Sequence, residues 1–104
     1  MLVNTEVLYR EVVAPLYQNL SGKVDSTLIV DIESNGLDPF GINQLCGIGL
    51  SYEENTLYFP FRHQQGDNLK YELLQELLKV IGQAKQLVGY NIKFDLKFLE
   101  RDGY

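Results

Sequence analysis

The order of apolar and polar residues along the chain predicts alternating helices and strands. Apolar side chains recur at helical spacing over residues 7–20, and either Asn4 or Thr5 can cap the helix that this spacing predicts. Pro15 lies inside the stretch. It should kink the helix or split it in two, because its ring removes a backbone hydrogen bond and clashes with the preceding turn.

Three apolar runs that are rich in β-branched and aromatic residues predict strands over residues 27–33, 45–52 and 56–61. The short Glu-Glu-Asn turn between the second and third runs predicts an antiparallel hairpin. Pro60 cannot donate a backbone hydrogen bond, so we expect the third strand to lie at an edge of the sheet or to end there.

The second half of the chain predicts a helix, a short strand and a last helix. Leucines at helical spacing follow a candidate cap at Asp67 or Asn68, and Gly82 is expected to terminate this helix. The short strand covers residues 86–89 and the last helix residues 92–101. The whole order predicts an α/β domain in which an antiparallel hairpin lies beside a parallel strand, with flanking helices.

Length and composition restrict the class of protein. With 104 residues, 45% of them hydrophobic, the chain is expected to form a single globular domain. We divide it into a leading helical segment over residues 1–24 and an α/β core over residues 27–104. No apolar run approaches the roughly 20 residues that span a bilayer, and charges interrupt the N-terminus where a signal peptide would be apolar. We therefore expect no membrane association and a cytoplasmic location.

The net charge of −5 argues against a protein that coats nucleic acid through bulk positive charge. It does not exclude an enzyme that acts on nucleic acid, because bound divalent cations can offset carboxylates at such a site. The single cysteine, Cys46, excludes an internal disulfide and is expected to be a buried thiol.

Two carboxylates lie at the end of the first predicted strand. Asp31 and Glu33 are two residues apart, so both side chains point to the same face, while Ile32 points into the core. Their mutual repulsion is relieved if a divalent metal ion with oxygen ligands lies between them. The alternative is that these acids are only the polar end of a strand.

A third carboxylate, Asp95, lies in the first turn of the last predicted helix, directly after the fourth strand. In α/β sheets, functional sites collect at the carboxyl ends of the strands, so Asp95 can approach Asp31 and Glu33 if their strands are neighbours. The alternative is an ordinary acid that the helix dipole favours at this position. Asn91 can cap the helix.

Together these segments resemble a known family. The segment over residues 30–39, VDIESNGLDP, resembles the first motif of the DEDD 3′–5′ exonucleases. The segment over residues 87–95, LVGYNIKFD, is similar to the second motif of the proofreading domain of family A DNA polymerases. Residues 45–51 and 57–63 resemble the second and third strands of that domain.

The resemblance implies a ribonuclease H-like fold and hydrolysis of phosphodiester bonds from a single-stranded 3′ end of DNA. It assigns Asp31, Glu33 and Asp95 to a two-metal site for Mg²⁺ or Mn²⁺, and Glu33 would also help to position the attacking water. Leu37 would pack against the terminal base, and Asn91 would contact the substrate or hold its loop. Tyr90 is a candidate for base stacking.

The third motif of the family, with its fourth acid, is not found in these 104 residues. We therefore expect an incomplete metal site, a fold incomplete at the C-terminus, and little activity of this chain without the rest of a longer polymerase or nuclease. Two alternatives remain open. One is an inactive nucleic-acid-binding or assembly module that self-associates through an exposed edge, and the other is a ribonuclease of the same superfamily that acts on RNA.

Two further features have ordinary alternatives. His63 is the only histidine, and we expect a loop residue near the substrate entrance rather than a catalytic base. Lys93, Lys97 and Arg101 recur every four residues on the last helix. They form either a solvated face or a set of phosphate contacts.

Overall fold

The computed structural model describes residues 1–104, and its three helices and four strands share one hydrophobic core. In chain order the elements are α1 (Glu6–Ser21), β1 (Thr27–Ser34), β2 (Leu45–Tyr52), β3 (Asn55–Pro60), α2 (Tyr71–Ile81), β4 (Gln86–Val88) and α3 (Ile92–Arg101). This is the predicted order of elements, and the boundaries of β2 and α3 are those predicted.

The four strands form one mixed sheet in the order β3-β2-β1-β4. The β1–β2 and β2–β3 pairs are antiparallel, whereas β1 and β4 are parallel. The predicted mixed sheet is therefore confirmed. β3 lies at an edge and ends at Pro60, as the missing backbone donor predicts. The N-terminal residues run beside this edge, where the Val3 N–H donates to the Tyr58 carbonyl at 2.8 Å.

The core lies on one face of the sheet, and buried and exposed residues alternate strictly along β1. Leu28, Val30 and Ile32 of β1 are buried, and the residues between them are exposed. Helices cover this face, and Tyr9 of α1 meets Phe59 of β3 edge to face with ring centroids 6.0 Å apart. Other large side chains that are fully buried in this core are Leu16, Leu20, Ile48, Leu50, Leu74, Leu77, Ile81 and Phe98.

The helix α1 is one continuous element, so of the two predicted effects of Pro15, a kink or a split, the split does not occur. Thr5 is the cap, and its hydroxyl accepts from the Leu8 N–H at 3.2 Å. Pro15 and Glu11, the residue four positions earlier, both lie on the exposed face of the helix. Water can therefore bond the Glu11 carbonyl that proline leaves without a donor, while the apolar face stays packed.

The start of α2 also differs from the prediction. The helix begins at Tyr71 after Lys70, without a side-chain cap, rather than behind Asp67 or Asn68. The Asn68 side chain instead closes the preceding loop. It accepts from the His63 N–H and donates to the His63 carbonyl, each at 2.9 Å.

None of the three helices combines the length and the apolarity that a membrane span requires.

An ion pair ties the C-terminal end of α3 to the sheet and to α2. Two nitrogens of Arg62 donate to the two carboxylate oxygens of Asp102 at 3.1 and 2.7 Å, and Arg62 also donates to the Leu45 carbonyl at 2.9 Å. Gln75 of α2 donates to the Asp102 carbonyl at 2.6 Å. The hydrogen bond to Asp102 raises the pKa of the Arg62 guanidinium above its ordinary value.

We predict that Asp102→Ala lowers the free energy of unfolding by about 2 kcal/mol, because it leaves the largely covered Arg62 guanidinium without its charged partner. The side chains of Arg62 and Asp102 are 23% and 11% exposed, so solvent screens the pair only in part. Urea unfolding followed by circular dichroism measures the change. Glu100→Ala removes an exposed carboxylate from the last turn of α3, close to Asp102 in the chain, and should leave stability nearly unchanged. Equal effects of the two variants would contradict the prediction.

Candidate active site

The first pair of predicted site residues lies on the outer face of the sheet, at the carboxyl end of β1. Asp31 and Glu33 are exposed, whereas Ile32 between them is buried, as their spacing predicts. In the β1–β2 ladder, Asp31 is paired with Gly49 and Glu33 with Gly47. The register shifts directly after Glu33, so the regular ladder ends at the site.

The two glycines of β2 leave room for an aromatic side chain across the outer face. A Cβ atom at Gly47 would lie 1.9 Å from the hydroxyl oxygen of Tyr58, which belongs to the next strand. Tyr58 therefore extends over Gly47 and reaches Glu33, to whose Oε2 its hydroxyl donates at 3.0 Å. Burial, and after it the hydrogen bond to Glu33, raises the pKa of Tyr58 above its ordinary value.

His63 completes this group from the loop after β3. Its Nε2 lies 2.6 Å from the Tyr58 hydroxyl and 3.9 Å from Glu33 Oε2. The contact with Tyr58 and Glu33 was not predicted from the sequence. The signal that could have found it is the Gly-x-Gly spacing in β2, which leaves the outer face open opposite both acids of β1.

The third predicted acid, Asp95, approaches the same strand from the opposite side. The turn between β4 and α3 lies so close to β1 that a Cβ atom at Gly89 would be 2.8 Å from the Val30 carbonyl oxygen and 3.6 Å from Asp95 Oδ2. Only glycine fits here without displacing backbone, which brings the first turn of α3 against the end of β1. Asp95 is 5% exposed.

Asp31 and Asp95 form a like-charged pair. Burial, followed by the charge of Asp31, raises the pKa of the Asp95 carboxyl, and a hydrogen bond from the Ile32 backbone lowers it in part. No lysine or arginine side chain lies within 4.0 Å of either carboxylate. The two acids thus have no positive partner in the protein.

The structure does not bring all three acids into one group that could hold a metal ion. Glu33 turns toward Tyr58, on the β2 side of β1, and Asp95 lies near Asp31, toward α3. The donor chemistry nevertheless fits a divalent cation. Asp31 and Asp95 are hard oxygen ligands whose repulsion is uncompensated, and Mg²⁺ and Mn²⁺ prefer such ligands.

Leu37 lies on the loop between β1 and β2 and is 84% exposed. Hydrogen bonds with two side chains fix the conformation of this loop. Arg101 of α3 donates to the carbonyls of Pro39 and Asn43 at 3.2 and 2.6 Å. Asn35 Oδ1 accepts from the Gln44 N–H at 2.7 Å across the base of the loop. Arg101 is therefore a loop anchor, a role that its helical spacing with Lys93 did not predict.

The other predicted substrate residues lie around the turn that carries Asp95. Tyr90, Asn91 and Lys93 are all exposed, Tyr90 completely. Asn91 is at the N-cap position of α3, but its side chain makes no capping hydrogen bond. The capping role was therefore not found, and the Asn91 amide is left accessible.

A comparison with protein families identifies this arrangement. The RNase_H_2 family of the RNase H superfamily matches residues 28–104, which include all the site residues described above. The chain belongs to the ribonuclease H superfamily. The fold and the relation to ribonuclease H-like exonuclease domains that the two motifs predicted are confirmed.

Two relatives extend this result. DNA polymerase I of Synechocystis sp. is 37% identical over 78 residues, which cover 70% of this chain and 8% of the polymerase. A crystal structure of the Aedes aegypti Nibbler EXO domain superimposes with a TM-score of 0.66 over 98% of this chain and 43% of that chain, at 13% identity. The second match establishes the fold alone. In both cases the chain spans less than half the length of the protein it matches.

We predict that Asp95→Asn stabilises the folded protein at pH 7.5 by about 1 kcal/mol, because it removes a buried negative charge beside Asp31. The raised pKa of Asp95 means that the folded state takes up a proton before the unfolded state does as the pH falls. The wild type therefore regains stability on acidification, and its difference from the variant should shrink as the pH approaches about 4.

Thermal unfolding at several pH values between 4.5 and 8 measures this difference. Asp25→Asn removes an exposed carboxylate outside the site and serves as the matched control, with an expected change within about 0.5 kcal/mol. A destabilised Asp95→Asn protein at pH 7.5 would show that the ionised carboxylate contributes favourable contacts instead.

Proposed function

We propose that this protein is a metal-dependent 3′–5′ exonuclease that hydrolyses phosphodiester bonds at the single-stranded 3′ end of DNA. The observation that carries the proposal is that the turn at Gly89 packs the first turn of α3, with Asp95, against the end of β1, which carries Asp31, and that no basic side chain lies within 4.0 Å of either carboxylate. The membership in the ribonuclease H superfamily and the identity with a DNA polymerase I support it.

The chain offers ligands for Mg²⁺ or Mn²⁺ from two elements. Asp31 at the end of β1 and Asp95 at the start of α3 would hold the ion between them, and Glu33 would contribute a further oxygen and orient the attacking water. A bound divalent ion of this type lowers the pKa of water and stabilises charge on the attacking and leaving oxygens. The carboxylates would fix the position of this chemistry on the sheet.

The exposed residues on both sides of the acids suit a nucleic-acid end. Leu37 offers an apolar contact to the terminal base, and Tyr90 offers a ring on which a base can stack. Asn91 and Lys93 provide a polar and a positive group at the same turn for sugar and phosphate. DNA rather than RNA is proposed because the relative with 37% identity is a DNA polymerase.

The direction and metal dependence of hydrolysis are testable with the complete gene product. A single-stranded DNA labelled at its 5′ end should give a ladder that shortens one nucleotide at a time in Mg²⁺ or Mn²⁺, and chelation should stop it. We expect Asp31→Ala to lower the rate at least 100-fold, because loss of a metal ligand removes the ion from the site.

Each other outcome has a distinct meaning. Release of mononucleotide from the 5′ end first would exclude 3′–5′ polarity. Faster degradation of RNA than of DNA would favour the ribonuclease alternative. Saturable binding of the oligonucleotide without hydrolysis in either metal would favour the non-catalytic module.

Metal binding by residues 1–104 can be measured separately from catalysis. We predict that Mg²⁺ at ten times its Kd stabilises the folded chain by about 1.4 kcal/mol, since it binds only the folded state. Asp31→Asn should abolish this gain, whereas Asp25→Asn should keep it. Differential scanning calorimetry with and without Mg²⁺ gives both values. An equal gain in Asp31→Asn would place the binding site elsewhere.

A further inference from the structure

The Glu33 carboxylate is held from one side only. Its Oε2 accepts from the Tyr58 hydroxyl at 3.0 Å, and no protein donor bonds its Oε1. The side chain is 61% exposed, so without this bond it would sample several rotamers in solvent. Tyr58 therefore fixes one oxygen and leaves the other free.

The distances set the direction of the hydrogen bonds in this group. A tyrosine hydroxyl has one proton to donate, and both Glu33 Oε2 and His63 Nε2 lie within hydrogen-bonding distance of it. An ionised Glu33 can only accept, so the Tyr58 proton points to Glu33. His63 then donates from Nε2 to the Tyr58 oxygen, and a chain runs from His63 through Tyr58 to Glu33.

The backbone supports this chain at two points. The His63 N–H and carbonyl are both bonded to the Asn68 side chain at 2.9 Å, which fixes the loop that carries the imidazole. Gly47 provides the space that the tyrosine hydroxyl occupies, and a Cβ atom there would lie 1.9 Å from it. The neighbouring Gly49 differs, because its Cβ atom would approach nothing closer than 3.4 Å.

We infer that Tyr58 is a positioning residue, which, with His63 behind it, holds Oε2 of Glu33 and leaves Oε1 as the oxygen that would be available to a metal ion. The inference rests on the function proposed above. Carboxylate ligands of metals are commonly oriented by hydrogen bonds from outside the coordination shell, and loss of such a bond weakens metal affinity by about 10- to 100-fold.

The test is a Mg²⁺ titration of residues 1–104 followed through amide chemical shifts. We expect Tyr58→Phe, which keeps the ring and removes only the hydroxyl, to raise the Kd about 10-fold. Gly47→Ala should reproduce this loss by displacing the hydroxyl. Tyr52→Phe on the same sheet is the control for loss of a tyrosine hydroxyl that does not reach Glu33.

A double-mutant cycle separates positioning from a general structural effect. If Tyr58 acts through Glu33, Tyr58→Phe should change the Kd in the wild-type background and have no effect in the Glu33→Gln background. An equal loss in both backgrounds, or an unchanged or tighter Kd in Tyr58→Phe, would overturn the inference. Absence of Mg²⁺ binding in the wild type would instead overturn the proposed metal site itself, and with it this role of Tyr58.

Discussion

The alternation of side chains along β1 is the constraint on which the rest of the structure depends. Leu28, Val30 and Ile32 enter the core beneath the sheet, and burial of each is worth roughly 1.5–3 kcal/mol. Because the strand period is two residues, the same burial forces Asp31 and Glu33 to the outer face. A register slip of one residue would bury both carboxylates. The packing of the core therefore also fixes the position of the two acids.

Close backbone approaches then bring distant parts of the chain to these two acids. Gly89 lets the turn before α3 touch β1, which carries Asp95 to Asp31. Gly47 lets Tyr58 cross β2 from the edge strand, which carries a hydroxyl to Glu33. In both places a methyl group would separate side chains that the site requires to be near each other. The surface therefore requires glycine at positions 47 and 89 as well as the three acids.

Helix α3 has a carboxylate without a positive partner at one end and a paired carboxylate at the other. Its first turn carries Asp95, a buried carboxylate with a like-charged neighbour and no cation. Directly after its last turn lies Asp102, a carboxylate that both nitrogens of Arg62 satisfy. Arg101 anchors the loop between β1 and β2 from the same end. The C-terminal end of the helix is thus tied to the sheet and to the loop, whereas its N-terminal end carries the uncompensated carboxylates.

The sequence by itself determined the elements and the identity of the acids. Periodicity is a local property, so the order of helices and strands and the outward direction of Asp31 and Glu33 followed from residue spacing alone. The two motifs likewise placed Asp95 at a helix start and indicated the superfamily, because each motif is contiguous in the chain.

Only the tertiary structure decided how these parts meet. Asn68 bonds the His63 backbone rather than capping α2, and α1 continues through Pro15 because that residue faces solvent. Tyr58, with His63 bonded to it, reaches Glu33 across β2. Arg101 donates to the loop between β1 and β2 instead of lying on a solvated helix face with Lys93. The contacts of Tyr58 and His63 with Glu33 depend on the order of the strands and on the space at Gly47. The order of the strands is not encoded in the spacing of residues along the chain.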